Sequence, residues 1–327
     1  MSLINQKLKI DKKSILIFGI TGQDGSLLAN EYLKKKFKVY GVITTRRKNF
    51  SNLKKLKIIK KINLLTCLNV NKKKIEYLVK KSRCSIIYLL SGISSVSKSQ
   101  EYKYETILSS NLILIEIIEF LRINSLNKIK VFNASSGEIF GDNIGKNNED
   151  SKNNPLSYYG IAKTISLNIS KAYRKQFKLK IFNGILFNHE SNLRPKTFVI
   201  KKVIHGANMI LNKRIKRISL GNTNVFRDWG WAPEYVKILY KIMKTSAPDD
   251  YIIATGKITK LDSIVKKIFN NYKLNKNKHI KKSKKLNRVL EPLKIQADIT
   301  KLKKKIKYVP KISINNIIKM MIAEEKK

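Results

Sequence analysis

The stretch Ser14-Ile-Leu-Ile-Phe-Gly19-Ile-Thr-Gly22-Gln-Asp-Gly25 decides the fold. Ser14 to Phe18 is a short apolar run of buried-strand character that ends in glycine. From Gln23 to Lys36 the residues Leu27, Leu28, Tyr32 and Leu33 recur on one face of a helix. Glycines at three-residue spacing between a strand and a helix have separate uses. The first permits a tight turn, the next lets backbone approach a pyrophosphate, and the third lets helix pack on strand. A pyrophosphate then rests at the helix N-terminus, where unpaired N–H groups and the dipole favour negative charge. An ordinary strand–helix turn rarely needs three glycines so spaced. The segment therefore predicts a dinucleotide site with Gly19, Thr21, Gly22, Gln23, Asp24 and Gly25 as cofactor contacts.

The alternation continues outward from this unit. Further strands are expected at Lys38–Ile43, within 57–65, at Ser85–Leu90, at Ile129–Asn133 and at Leu179–Leu186, with helices at Lys72–Lys81, Ser109–Leu121 and Ser157–Gln176. Apolar strands alternating with helices predict an α/β protein, a Rossmann-type doubly wound parallel sheet covered on both faces. Past about residue 257 glycine disappears and lysine-rich helical segments dominate, which predicts a smaller, mainly helical C-terminal lobe. The expected division is a dinucleotide-binding domain of 12–186 and about 217–256, and a second lobe of about 187–216 and 257–322.

The end of the second strand separates NAD from NADP. An acid there accepts from the ribose 2′-hydroxyl, whereas arginine accommodates a 2′-phosphate. The sequence is Thr44-Thr45-Arg46-Arg47-Lys48, with no acid in reach, so NADP is expected over NAD, with Arg46 and Arg47 as its contacts.

The formal charge is +47, from 69 Lys and Arg against 22 Asp and Glu, a balance that raises the question of polyanionic partners. The lysines are spread along the whole chain, as in Lys34-Lys35-Lys36 and Lys303-Lys304-Lys305, and form no stripe or nucleic-acid motif, so no specific nucleic acid is expected. The two cysteines, Cys67 and Cys84, lie in apolar surroundings and fit a reducing, cytoplasmic setting, and the three histidines show no metal spacing. No apolar run reaches the ~18 residues of a membrane span, so no membrane association is expected.

Tyr159 and Lys163 stand four apart on an expected helix and share a face. An ammonium beside a phenol is expected to lower the phenol pKa and let it act as base or acid near neutral pH. Upstream, the strand end Ala134-Ser135-Ser136-Gly137-Glu138 adds a hydroxyl, Ser136, and a second acid/base group, Glu138. Glu138 decides the reaction type. Alcohol dehydrogenation needs one acid/base, whereas elimination also needs a proton removed from carbon and one supplied to departing water.

These residues, with Gly19-Ile-Thr-Gly-Gln-Asp-Gly-Ser26, Asn183-Gly-Ile-Leu-Phe-Asn-His-Glu-Ser191, Arg227-Asp-Trp-Gly230 and Ile253-Ala-Thr-Gly256, resemble the extended short-chain dehydrogenase/reductase family, and within it the branch that dehydrates GDP-hexoses. The resemblance covers nearly the whole chain. It implies a redox-neutral lyase acting on GDP-mannose, with hydride carried from C4 to C6 by NADP. It further implies Ser136, Glu138, Tyr159 and Lys163 as the catalytic set, and Ser94, Asn188, Lys202, Arg227, Arg288 and Glu291 as contacts of the nucleotide sugar. Family members associate as homodimers or homotetramers, and the helices at Ser109–Leu121 and Ser157–Gln176 are candidates for a two-fold contact. The chain departs from the family in places. Ser136 replaces Thr, Cys67 stands where an Asp would lie near the adenine, Gly137 replaces Ser, and Ser91-Gly-Ile-Ser94-Ser95 replaces a more polar run. The competing readings are a related nucleotide-sugar reductase or epimerase, and a catalytically weakened basic scaffold.

Overall fold

The computed structural model describes residues 8–44 and 49–326. The order of elements follows the expected alternation: β1 (Asp11–Phe18), α1 (Gln23–Lys34), β2 (Lys38–Ile43), α2 (Ser51–Lys55), β3 (Asn63–Thr66), α3 (Lys72–Ser82) and β4 (Cys84–Leu89). Next come α4 (Val96–Glu101), α5 (Lys103–Ile123), β5 (Lys130–Ser136), β6 (Lys146–Asn147), α6 (Tyr158–Phe177), β7 (Lys180–Leu186), β8 (Asn188–Glu190) and α7 (Val199–Leu211). The chain ends with β9 (Ile218–Leu220), β10 (Phe226–Trp231), α8 (Ala232–Ile242), β11 (Asp250–Ile253), β12 (Ile258–Lys260), α9 (Leu261–Asn271), α10 (Lys276–His279), β13 (Ile280–Lys282), β14 (Gln296–Ala297), α11 (Thr300–Ile306) and α12 (Ile314–Glu325).

Seven strands form one sheet in the order β11-β7-β5-β4-β1-β2-β3, and every neighbouring pair is parallel. The strand order reverses between β1 and β4, and it is at such a switch point that ligands bind beyond the carboxyl ends of the strands. Both faces are covered. In β1, Ile15 and Ile17 join a core with Leu28 and Tyr32 of α1 and with α8 and α11. Leu16 and Phe18 face the opposite core, with Ile75 and Leu78 of α3 and with Ile113 to Leu121 of α5. This two-sided burial explains why β1 reads as an unbroken apolar run rather than an alternation.

A third core gathers α7, α9 and α12 against Leu220, Val225 and Trp229. The strands of that region are short: β10 pairs in parallel with β8 and antiparallel with β12, and β13 pairs with β9. The segment 218–231, which sequence reading places with the N-terminal unit, thus packs with the C-terminal elements, while α8 and β11 return to the large sheet. The helix over 109–121 is longer than expected, starting at Lys103, and the short α4 precedes it. Cys67 and Cys84 are buried and free, and burial pushes the Cys84 thiol up to about 12. No helix among the described residues is long and apolar enough to cross a membrane, and no cluster among them has the ligand types to hold a metal.

Candidate active site

The loop after β1 has the geometry a dinucleotide phosphate needs. Gly19 sits at φ +83°, and a Cβ there would lie 2.7 Å from the backbone of Leu90 on β4's exit. At Gly25 a Cβ would fall 2.2 Å from the Gly19 carbonyl oxygen, so helix α1 comes this close to the loop only with glycine. Gly22 differs: a Cβ there meets only the Gly19 oxygen, at 3.3 Å, so the space beside the helix start stays open. Gly22 is the N-cap of α1 and no side chain caps the helix. An uncapped helix N-terminus fronted by open space fits a pyrophosphate.

The polar residues of the same loop face inward. Gln23 donates to the Asp24 carboxylate at 3.1 Å and to the His189 carbonyl at 3.3 Å, and accepts from Ser191 at 2.7 Å. Asp24 pairs with His189 Nε2 at 2.9 Å. Burial pushes the Asp24 carboxyl up, but the His189 ring opposite outweighs it and holds the group below its usual range. These contacts tie the phosphate loop to β8, so Gln23 and Asp24 act through the protein's own frame. Thr21 offers its carbonyl to the Asn52 side chain at 3.1 Å. Arg46 and Arg47 lie outside the described residues.

A cavity of about 610 Å³ opens over the carboxyl ends of the sheet, lined by residues that include Asp24, Ser94, Ser136, Glu138, Tyr159, Lys163, Asn188, Lys202, Arg227, Arg288 and Glu291. The catalytic candidates converge because β5 ends at Ser136 and the 3₁₀ turn Gly137–Phe140 follows directly. The Ser136 hydroxyl accepts from the Glu138 N–H at 3.3 Å and fixes that turn. The Phe187 ring lies 3.1 Å from where a Gly137 side chain would begin, so a larger residue here would need that ring to shift by a few tenths of an ångström. Helix α6, capped by Ser157, presents Tyr159 and Lys163 from the other side.

One expectation about this pair is corrected. Lys163 does not lower the Tyr159 pKa: its Nζ donates to the Ala134 carbonyl at 2.8 Å and stands 5.9 Å from the centre of the phenol ring. Burial raises the phenol above its ordinary value, the Ser136 hydroxyl pulls it back, and the Glu138 charge raises it further. Burial also pushes the Lys163 ammonium down to about 8.

Farther out, four charged side chains form a chain. Arg288 donates to Glu138 Oε1 at 3.2 Å, and its Nε lies 3.4 Å from Glu291. Glu291 in turn lies 3.9 Å from Arg227 Nη2. Arg227 is only 4% exposed, donates through Nη1 to the Phe226 carbonyl at 2.9 Å, and leaves Nη2 without a hydrogen-bond partner. Lys202 donates to the Ser219 carbonyl at 2.7 Å, and burial lowers its pKa. Ser94 and Asn188 line the cavity. The Asn188 carbonyl accepts from Tyr235 at 3.5 Å.

Two cavity residues were missed from sequence: His189, held between Asp24 and the Phe187 carbonyl and stacked on Tyr235, and Arg194. The Arg194 guanidinium lies 3.7 Å from the centre of the Phe198 ring, and its Nε is 3.7 Å from Glu190, itself 1% exposed. The signal was present in an acid and a base four residues apart, Glu190 and Arg194, in the turn that leaves β8 next to an already noted motif.

With this geometry in view, comparison with known proteins is specific. Residues 16–321 match the family described as GDP-mannose 4,6 dehydratase. GDP-mannose 4,6 dehydratase 1 of Arabidopsis thaliana is 30% identical over 330 residues, covering 96% of this chain and 90% of the relative. The GDP-mannose 4,6-dehydratase of Yersinia enterocolitica is 34% identical over 257 residues, covering 75% of this chain and 68% of the relative. Among solved structures, a dTDP-glucose 4,6-dehydratase from Streptomyces venezuelae, determined with NAD bound, superimposes with a TM-score of 0.84 at 15% identity, covering 96% and 97% of the two chains. A UDP-glucose 4-epimerase from Thermotoga maritima gives 0.82 at 19%, covering 95% and 98%. The structural likeness carries the Rossmann-type fold, and the match over residues 16–321 carries the rest: this chain belongs to the GDP-mannose 4,6-dehydratase family.

Proposed function

We propose that the chain is a hydro-lyase converting GDP-mannose to GDP-4-dehydro-6-deoxy-D-mannose and water, without net oxidation or reduction. The observation that carries this reading is the convergence of Ser136, Glu138, Tyr159 and Lys163 in one cavity, beyond the strand ends and beside the glycine cradle. A single acid/base would serve alcohol oxidation, and Glu138 is the additional group an elimination needs.

The glycine loop would hold the cofactor pyrophosphate. The basic run Arg46-Arg47 with no nearby acid favours NADP over NAD. When bound, the nicotinamide supplies a hydride acceptor for C4 and the hydride for C6. Tyr159 takes the proton of the 4-hydroxyl, with Ser136 supporting the phenolate by the hydrogen bond that already lowers its pKa. Lys163, which donates to the Ala134 carbonyl, would hold the nicotinamide ribose. The 4-ketone acidifies the C5 hydrogen. Glu138 removes that proton and delivers it to the departing 6-hydroxyl, so the C6–O bond breaks and water leaves. The proton first taken from O4 balances the one restored at C5. Arg227, Arg288, Glu291, Lys202, Asn188 and Ser94 are assigned to the nucleotide sugar, with the guanidiniums as planar donors to the diphosphate.

The lobe built around α7, α9 and α12 is assigned to substrate and the seven-stranded sheet to cofactor. A homodimer formed through α5 and α6 is part of the same reading, because Leu108, Leu112 and Ile161 lie exposed on those helices at 37–40%, and Tyr104 at 72%. A cytoplasmic setting rests on the two free thiols. The direct test is incubation of purified protein with GDP-mannose and no added reductant, followed by mass spectrometry. A product one water lighter is expected. Stoichiometric consumption of NADPH instead would identify a reductase.

A further inference from the structure

Glu138 lines the cavity with one oxygen of its carboxylate already engaged. Arg288 donates to its Oε1 at 3.2 Å, from a loop 150 residues away in sequence. A charge-assisted hydrogen bond of this kind takes up a lone pair that a base needs for its proton. The pairing belongs to a balanced set: two guanidiniums, Arg227 and Arg288, against two carboxylates, Glu138 and Glu291, all within 3.9 Å of a partner. A diphosphate entering this set adds negative charge and competes with Glu138 for the same guanidinium, and planar fork donors suit phosphate at least as well as carboxylate. Arg227 already holds a buried Nη2 with no hydrogen-bond partner, a donor ready for such an anion. Arg288 is 30% exposed in its side chain, so its bond to Glu138 is partly solvated and costs little to exchange. The flanking Val289 and Leu290 are 88% and 59% exposed and do not pin the loop in the core.

We propose that Arg288 is a latch on Glu138, opened by the diphosphate arm of the substrate, so that the base becomes available only when a nucleoside diphosphate is seated. This rests on the dehydratase reading above and adds a second role to Arg288, which then acts on the reaction through Glu138 as well as by holding substrate. It makes proton removal at C5 conditional on the nucleotide, and smaller keto sugars are spared.

The two roles separate when nucleotide and sugar are supplied as separate molecules. Free 4-keto-6-deoxymannose in heavy water exchanges its C5 hydrogen slowly with solvent, and exchange by the protein above that background reports a competent base. With wild-type protein, GDP added in trans should speed that exchange by about tenfold, the factor equivalent to roughly 1.4 kcal/mol. In Arg288→Ala the exchange should already run at the faster rate and gain nothing from GDP. Equal wild-type rates with and without GDP overturn the latch, and so does an Arg288→Ala variant still accelerated by GDP. A spectroscopic readout, taken at GDP concentrations that saturate each protein, uses isotope-labelled glutamate, with the Glu138 carboxyl signal assigned by its loss in Glu138→Gln. GDP should move that signal in wild type and leave it in place in Arg288→Ala, and an unmoved wild-type signal overturns the proposal. Turnover of intact GDP-mannose without either GDP effect defeats the latch alone, whereas absence of turnover on any nucleotide sugar defeats the reading it rests on.

Discussion

In the proposed mechanism Glu138 carries the distinction between oxidation and elimination, and its substitution is the sharpest residue-level test. Glu138→Gln keeps the size of the side chain and a hydrogen-bonding oxygen for Arg288, so cofactor and GDP-sugar binding should stay within about threefold of wild type. Release of the 4-keto product should fall by about 10²-fold or more, the lower range for a lost general base. Wild-type product formation in quenched-flow assays would remove Glu138 from the elimination. A second residue gives a pH signature unconnected with catalysis. Asp228 is fully buried and accepts from the Thr255 N–H and hydroxyl, with its other oxygen unpartnered, and burial pushes its carboxyl up to about 6. Its folded pKa exceeds the unfolded value, so the folded state binds the extra proton as pH falls through about 6. Wild type should therefore gain about 1 kcal/mol relative to Asp228→Asn between about pH 7 and about pH 5. Denaturant titrations showing a constant gap between the two proteins would contradict the assignment. At this scale the sequence pointed to side chains that the fold gathers in one cavity, and said less about how they are wired. Ser136, Glu138, Tyr159 and Lys163 were recognisable from type and spacing. The Lys163 bond to Ala134 and the Arg288 bond to Glu138 were not, because each joins residues brought together only by the folded sheet and its loops.

Among the elements, the long ones were legible and the short ones were not. Strand β1 carries an unbroken apolar run, and helices α1 and α6 repeat their apolar period over enough residues to be read directly. Strands β6, β8, β9 and β14 are two or three residues long, too short for any period, and owe their existence to tertiary pairing. Helix α12 shows how the C-terminal lobe is fastened. Its Ile317, Ile318, Met321 and Ile322 enter the third core, and Glu325 at its end pairs with the buried Lys201 at 2.7 Å and with His205 at 2.6 Å on α7. Removing the carboxylate leaves Lys201 buried and uncompensated. Glu325→Ala should cost about 3 kcal/mol in chemical denaturation, the lower end for breaking a buried pair. A loss under about 1 kcal/mol would mean that α12 is held by its apolar face alone.

For the whole molecule, sheet order places the phosphate loop and the catalytic cluster on one rim. The glycine turn lies after β1, Ser136 ends β5, and Asn188 follows β7, so the proposed cofactor and substrate sites share the rim of strand ends that includes the switch between β1 and β4. Against the large positive charge of the whole chain, Arg227 and Arg288 in the cavity are matched by Glu138 and Glu291. The central claim is that one cofactor shuttles a hydride within one sugar and ends unchanged. GDP-mannose carrying deuterium at C4, incubated with the purified protein and no added reductant, tests this directly. The account predicts a 4-keto-6-deoxy product with the deuterium at C6. Product lacking the label at C6, or no product without added reductant, would contradict it.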